Sequence, residues 1–175
     1  MAAYYASILY GALLTVGVSL AALLVSVLLG LLGAGAKLSG NRPLVALATG
    51  YTTIIRGIPE LVLMLLVFYG GSIGINHLLE LSGTGATLDI NPFTAGVLTL
   101  GFIYGAYMTE TFRGAILAIP RGQFEAAAAF GMGPVQIFLR ITAPQMVRHA
   151  VPGFTNNWLV LIKATALVSL IGLQE

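Results

Sequence analysis

Charged side chains are scarce in this sequence, and cysteine is absent. Lysine, arginine, aspartate and glutamate make up 8% of the 175 residues, whereas soluble domains carry about 25%. The missing cysteine excludes disulfide scaffolds, thiol catalysis, iron–sulfur clusters and cysteine-ligated zinc. The two histidines, His77 and His149, are far apart and have no partner at metal-ligand spacing. Composition therefore leaves little room for thiol or metal chemistry.

Apolar residues dominate what is present. They amount to 58% of the chain, and the mean hydropathy is +0.95. Disordered chains have the opposite composition. A soluble fold could not cover so much apolar surface with eight basic and six acidic side chains. The composition predicts a polytopic membrane protein.

Long uncharged runs predict the membrane spans, because about 20 apolar residues cross the hydrocarbon core. We expect four spans, at residues 8–33, 61–79, 93–112 and 151–172. A shorter apolar segment at 43–55 is broken at Arg56-Gly57-Ile58-Pro59. The first 36 residues carry no charge, which does not fit a cleaved signal with a basic start. The predicted fold class is all-α, a polytopic membrane helical bundle.

Basic residues predict the orientation of these spans. Those flanking the first and third spans are Lys37, Arg42, Arg56, Arg113, Arg121, Arg140 and Arg148. The loop at 80–92, after the second span, has no lysine or arginine. Lysine and arginine concentrate in cytoplasmic loops, so we expect the N-terminus outside and, after four spans, the C-terminus outside as well.

Glycines at four-residue spacing predict close helix packing. Examples are Gly101-x-x-x-Gly105 and Gly70-x-x-x-Gly74. In lipid, small residues let helix backbones approach each other. Both pairs are interpreted as packing sites.

The segment 121–144, RGQFEAAAAFGMGPVQIFLRITAP, predicts two short helices. Its alanines favour a helix from Gln123 to Phe130, which Gly131 and Gly133 end. Pro134 can begin a second helix, and Pro144 is expected to stop it. From composition alone, this cytoplasmic segment could dock in a groove of a partner or pack on its own bundle.

The same segment resembles the EAA loop of permeases of binding-protein-dependent ABC importers. The matching residues are Glu125, Ala126, Ala127, Gly131, Ile141 and Pro144. Ala143 stands where the family usually has a larger hydrophobic residue. In that family the loop is the coupling helix, seated in a cleft of the ATP-binding subunit. The resemblance implies that these six residues couple the chain to an ATPase.

Further segments extend the resemblance over almost the whole chain. They are residues 50–53 with 56–61, 110–114, and 156–158 with 163–167. These are similar to the polar amino acid permeases, in particular to the Q-type subunits of histidine, lysine/arginine/ornithine and octopine/nopaline permeases. The resemblance implies one transmembrane permease domain over residues 1–175. Such subunits usually have a fifth span, so four spans imply a chain truncated at its C-terminal end.

Nucleotide chemistry has no motif in this sequence. The phosphate-binding pattern G-x-x-x-x-G-K-[ST] does not occur, and neither paired carboxylates nor a Ser/His/Asp set can be assembled. We therefore expect no enzyme activity and no cofactor of the chain's own. If transport is driven by ATP, a partner ATPase binds the ATP and magnesium.

Polar residues at membrane depth are candidates for the substrate pathway. Thr52, Thr53 and Glu60 lie near the predicted helix break, and broken helices often form substrate sites. Glu60 could instead satisfy helix-end amides. The candidates on the last span are Asn156, Asn157 and Lys163. The two asparagines could instead bond between helices, and Lys163 could pair with a carboxylate or reach an interface.

Glu110 and Arg113 are three residues apart and share a helix face. They predict a local ion pair at the cytoplasmic boundary. The functional alternative is a gate or an ATPase-facing contact.

The sequence as a whole predicts a transmembrane subunit of an ATP-driven importer of polar, in particular basic, amino acids. Histidine, arginine, lysine, ornithine or opines are the expected substrates, and the location is the bacterial cytoplasmic (inner) membrane. The implied partners are a second permease subunit, two ATP-binding subunits, an extracytoplasmic substrate-binding protein, the amino acid and the lipid bilayer, but no nucleic acid. The alternative is a non-transporting membrane scaffold or an ATP-independent carrier. A carrier would be expected to have repeated halves or paired broken helices.

Overall fold

The computed structural model describes residues 2–81, 83 and 91–172, and these residues are helical apart from short connections. The helices are α1 (Ala2–Leu38), α2 (Arg42–Gly57), α3 (Glu60–Leu81), α4 (Pro92–Leu117), α5 (Arg121–Ala129), α6 (Pro134–Ile137) and α7 (Ala143–Gly172). A π-helical turn, Phe138–Thr142, joins α6 to α7. No strand occurs within the described ranges, so the all-α prediction is confirmed.

Proline and asparagine define where two of the helices begin and where one ends. Asn91 precedes Pro92, and its side chain accepts a 2.8 Å hydrogen bond from the backbone N–H of Phe93, which satisfies a free amide at the start of α4. Ile58 is extended, at φ −108 and ψ 140, as a residue before proline prefers. The predicted break between α2 and α3 therefore lies at Ile58 and Pro59.

Helix α1 packs closely against α4 through small residues. Buried small residues recur on α1 at four-residue spacing, at Ala22, Ser26, Gly30 and Ala34. On α4, a Cβ added to Gly101 would lie 2.5 Å from Val25 Cγ1, and one added to Gly105 would lie 2.8 Å from Leu29 Cβ. The residue numbers of the contact partners increase together along the two helices, so α1 and α4 run in the same direction. Small residues permit this approach.

Helix α7 packs on α4 in the opposite direction. Gly153, near its start, faces Thr111, and a Cβ added there would lie 2.9 Å from Thr111 Cγ2. Gly96, near the start of α4, faces Val168, and a Cβ added to Gly96 would lie 2.6 Å from Val168 Cγ1. Helix α4 thus has α1 and α7 against it. Of the two predicted glycine pairs, Gly101 and Gly105 are in this packing, whereas an added Cβ at Gly70 or Gly74 would meet no atom of the described residues within 4 Å.

Large apolar side chains cover much of the outside of the bundle. Leu13, Leu32, Leu47, Ile73 and Leu81 are each at least 69% exposed, which is the distribution expected where lipid replaces water. Two stretches of the described chain, Ile8–Leu38 and Glu60–Leu81, are long and apolar enough to cross a membrane by length and composition. The count of four spans and the side of the N-terminus stay predictions.

The second short helix does not end at Pro144, and this part of the prediction was wrong. Residues 134–172 form one continuous helical run, and Pro144 lies at the second position of α7. Proline has no N–H to give to the carbonyl four residues back, and its ring crowds that carbonyl. The wider π turn directly before it uses a bond across five residues instead, from the Ala143 N–H to the Phe138 carbonyl. The π turn explains how the helix continues.

Replacing Gly30 with alanine should destabilise the protein. The added Cβ would lie 2.5 Å from Met108 Cβ and 3.0 Å from Met108 backbone carbon, and overpacking of this kind costs about 1–3 kcal/mol. Thermal unfolding of the purified protein in detergent measures the effect as a lower Tm.

Gly35→Ala, on the same helix, is the matched control, because an added Cβ there meets nothing within 4 Å. Its Tm should equal or exceed that of the parent, since alanine favours helix more than glycine does. Equal Tm values for the two variants would contradict close packing at Gly30.

Candidate functional site

A polar cluster joins three helices where α1 and α2 meet α4. Lys37 Nζ, on α1, lies 2.5 Å from Glu110 Oε1 on α4 and donates a 2.6 Å hydrogen bond to Thr52 Oγ1 on α2. The Lys37 side chain is 10% exposed and that of Glu110 is 23% exposed. Thr52 is buried, and its hydroxyl donates a 3.2 Å hydrogen bond to the Thr49 carbonyl. Because both side chains are partly buried, removing either one would leave the other charge poorly solvated and without its partner.

The local pair expected between Glu110 and Arg113 is the weaker of two contacts. Arg113 lies 3.5 Å from Glu110 Oε2, and its side chain is 39% exposed. Lys37 takes the other oxygen at the shorter distance. The shorter contact of Glu110 is therefore the one between α1 and α4, and the longer one is within α4.

Glu60 contacts α4 at Tyr104, which is more than one helical turn before Glu110. It is the first residue of α3, and its Oε1 accepts a 2.6 Å hydrogen bond from the Tyr104 hydroxyl. Tyr104 is buried, whereas Glu60 is half-buried. A carboxylate at this position suits the start of a helix and is held by a neutral donor, with no described cation paired to it.

These contacts follow an oblique row along α4, since each step of three residues also rotates the row by about 60° around the helix. Tyr104, Tyr107, Glu110 and Arg113 follow each other at three-residue spacing, over about 13 Å of helix. The Tyr104 and Tyr107 rings lie 5.7 Å apart, and the Arg56 guanidinium of α2 lies 5.5 Å from the Tyr107 ring centre, within cation–π range. We call these four residues the polar stripe of α4. Residues from α3, α2 and α1 partner it in turn: Glu60, Arg56 and Lys37.

Of the other pathway candidates, one makes a contact between helices and three are exposed. Asn157 donates a 3.0 Å hydrogen bond to Thr111 Oγ1, which ties α7 to α4. Thr53, Asn156 and Lys163 are exposed, and no hydrogen bond or ion pair involves them in the described part of the chain. The structure thus brings Thr52 and Glu60 to the polar stripe, and Asn157 to a different position on α4.

Lys37, Arg56 and Tyr104 were not singled out as site residues from the sequence. Lys37 is 73 residues from Glu110, so no local spacing could reveal the pair. A second feature without a sequence signal is Trp158 Nε1, which is buried and has no hydrogen-bond partner within the described ranges. Among those same residues, no three His, Asp or Glu side chains come together as metal ligands.

The segment that follows α4 forms a helix, a glycine turn and a second helix. Helix α5 covers Arg121–Ala129, and Gly131 adopts φ +76 directly after it. The Gly131 N–H bonds to the Ala128 carbonyl at 2.9 Å, and the Met132 N–H bonds to the Ala127 carbonyl at 3.1 Å. This pair of bonds is the Schellman ending, in which glycine takes the left-handed position.

This segment presents both small and large apolar residues to its surroundings. Among the EAA-like residues, Ala127 is buried, Ile141 is half-buried, and Glu125, Ala126, Gly131 and Pro144 are exposed. Four large apolar side chains are exposed beside them: Phe130, Val135, Phe138 and Leu139, at 89%, 70%, 50% and 62%. An exposed apolar surface rimmed by polar residues is typical of a protein interface.

Known proteins resemble the chain along nearly all of its length. The family described as "binding-protein-dependent transport system inner membrane component" matches residues 26–175. The histidine/lysine/arginine/ornithine transport system permease protein HisQ of Escherichia coli (strain K12) is 55% identical over 168 residues, which cover 96% of this chain and 73% of HisQ. The octopine transport system permease protein OccQ of Rhizobium radiobacter is 41% identical, over 93% of this chain and 68% of OccQ.

A solved structure gives the same result for the fold. The crystal structure of an amino acid ABC transporter with histidines contains a chain that matches with a TM-score of 0.72 and 32% sequence identity. The match covers 96% of this chain and 76% of that one. The helical arrangement described above is therefore that of a membrane permease bundle.

Removing one member of the Lys37–Glu110 pair should cost more stability than removing both. Lys37→Met leaves a partly buried carboxylate, and Glu110→Gln leaves a partly buried ammonium group, each of which costs about 1–3 kcal/mol. The double variant removes both charges and should lie closer to the parent. Thermal unfolding of the four proteins gives the coupling free energy.

Arg113→Met is the matched control for this cycle, since its contact is longer and its side chain is more exposed. Its Tm should change little. Additive effects of the two single variants would mean that Lys37 and Glu110 do not interact.

Proposed function

The chain belongs to the family of inner membrane components of binding-protein-dependent transport systems, and we propose that it is a permease subunit of an ATP-driven importer of basic amino acids. The observation that carries this proposal is the identity with the histidine/lysine/arginine/ornithine permease along almost the whole chain. The octopine permease, at lower identity, supports the same class of cationic or amphoteric substrates. Histidine, arginine, lysine, ornithine and opines are the substrates proposed.

ATP hydrolysis is assigned to partner subunits. The sequence has no phosphate-binding loop, so ATP and magnesium are proposed to bind to two ATP-binding subunits. A second permease subunit would complete the pathway, and an extracytoplasmic binding protein would deliver the amino acid. ATP-driven closure of the ATPases would move α5 and the helical run after it, and the bundle would then alternate between outward and inward access.

The proposed topology is multi-pass in the inner membrane, with four spans and the N-terminus outside. Parallel packing of α1 with α4, and antiparallel packing of α7, support this order of crossings. The end of α1 with Lys37 and the end of α4 with Arg113 then lie on the same side as α5. That side is proposed to be cytoplasmic, because arginine and lysine concentrate there.

Glu60 is the proposed contact for the cationic group of the substrate. It is a half-buried carboxylate at the α2–α3 break, with a hydroxyl partner but no described counter-ion. An incoming guanidinium or ammonium group could therefore pair with it without displacing a protein cation. Thr52, Thr53, Asn156, Asn157 and Lys163 stay candidates for other polar contacts along the pathway, and Glu110 with Arg113 for a gate.

The alternative of a membrane scaffold or an ATP-independent carrier has no observation in its favour. The matched family, both permeases and the amino acid ABC transporter belong to transport systems of the other kind. We propose no second function.

Two substitutions in α5 and its glycine turn test the proposed coupling to an ATPase. Glu125→Lys reverses an exposed charge, and Gly131→Arg places a side chain at a position with φ +76, which L-residues avoid at a cost of about 1–2 kcal/mol. Co-purification with the cognate ATP-binding subunit should fall at least severalfold in both. Stimulation of ATPase activity by arginine-loaded binding protein should fall with it.

Gly133→Ala is the control for the turn, because Gly133 has φ −72 and an added Cβ meets nothing within 4 Å. It should associate as the parent does. Unchanged association in both Glu125→Lys and Gly131→Arg would reject α5 as the coupling element.

Glu60→Gln tests the substrate contact. It keeps the shape and removes the charge, so arginine uptake by the reconstituted complex should lose about tenfold in apparent affinity, as expected for a charge-assisted hydrogen bond. Glu80→Gln, the same change at the exposed end of α3, should behave as the parent. Parental uptake of arginine and histidine by Glu60→Gln would exclude this role.

A further inference from the structure

At the junction between α5 and α7, the side chain of Gln145 bonds to α5 and also to the π turn. Gln145 Nε2, on α7, donates a 2.6 Å hydrogen bond to Gln123 Oε1 on α5. The same nitrogen donates a 3.1 Å hydrogen bond to the Ile141 carbonyl, inside the π turn. Both protons of one amide are therefore used, one across the junction and one within the turn.

The π turn makes this contact possible. Its bonds reach five residues back, from the Ala143 N–H to the Phe138 carbonyl, and the Thr142 hydroxyl donates to the Ile137 carbonyl at 3.4 Å. A π turn contains one more residue than an α-helical turn. Since an α-helix turns about 100° per residue, the turn changes the direction in which Gln145 points relative to α6. Pro144, next to Gln145, favours the wider turn at this place.

The covalent connection between α5 and α6 is short and depends on glycine. After α5, the chain passes through Gly131, at φ +76, and Gly133 before α6 begins. The backbone from Pro134 onward is continuous helix through the π turn into α7. A displacement of α5 could therefore be absorbed by the glycine turn unless a second link holds α5 to the long helix. The Gln123–Gln145 hydrogen bond is such a link.

We propose that Gln145, with Gln123 and the π turn, is a positioning residue that fixes the orientation of α5 relative to α7. In this role it transmits the displacement of α5 to the bundle, while other surfaces of α5 bind the ATPase. The proposal rests on the proposed function, in which α5 couples the permease to ATP hydrolysis. It assigns to the segment a transmission contact that is distinct from the docking contact.

The test uses the assembled complex in lipid, with arginine-loaded binding protein as the stimulus. Gln145→Leu keeps the size of the side chain and removes both donors. Stimulated ATPase activity and arginine uptake should each fall about fivefold, the size expected for the loss of one hydrogen bond. Association with the ATP-binding subunit and unstimulated ATP hydrolysis should match the parent.

Gln123→Leu should reproduce this effect, and the Gln123→Leu/Gln145→Leu double variant should be no worse than either single variant, because both remove one interaction. Gln123→Glu is the matched control, since a carboxylate still accepts the Gln145 hydrogen bond. It should retain coupling.

Parental stimulation in Gln145→Leu would overturn the proposal. So would loss of association in that variant, because Gln145 would then be part of the docking surface. Failure of the proposed function is distinguishable, since it would leave association unchanged in Glu125→Lys and Gly131→Arg.

Discussion

The close approach of α1 to α4 is the constraint on which the rest of the bundle depends. Without a hydrophobic driving force between helices in lipid, contact area and short polar contacts hold a bundle together. Gly30 faces Met108, and Gly101 faces Val25, with no room for another carbon atom. That spacing brings Lys37 within reach of Glu110, and it leaves other sides of α4 open to α2, α3 and α7.

Helix α4 consequently serves as the polar axis of a largely apolar molecule. Its stripe of Tyr104, Tyr107, Glu110 and Arg113 takes contacts from three other helices. In a chain with only 8% charged residues, five of them, Lys37, Arg56, Glu60, Glu110 and Arg113, are held by contacts along α4, and an unpaired charge in lipid is expensive. The stripe also holds Glu60, a carboxylate without a described counter-ion, through the hydroxyl of the buried Tyr104.

The helix that begins at Pro134 continues without interruption into the bundle. Pro144 does not end the helix. The π turn directly before it, with its wider hydrogen-bond spacing, accommodates a residue that has no N–H and a bulky ring. The run from Pro134 to Gly172 is therefore one helical unit, and the turn at Gly131, with φ +76, connects it to α5. The side chain of Gln145 hydrogen-bonds this run to α5.

The sequence alone determined the membrane class, the helical fold, the break at Ile58-Pro59, the helix of α5 with its glycine ending, and the family resemblance. Each of these follows from local composition, from proline and glycine, or from a motif of fixed spacing. Only the tertiary structure decided that Gly101 and Gly105 pack against α1, whereas Gly70 and Gly74 have no such neighbour among the described residues, and that Glu110 lies closer to Lys37 than to Arg113. Spacing along one helix can predict a neighbour three or four residues away. A partner 73 residues distant is fixed only when two helices have packed in a particular register.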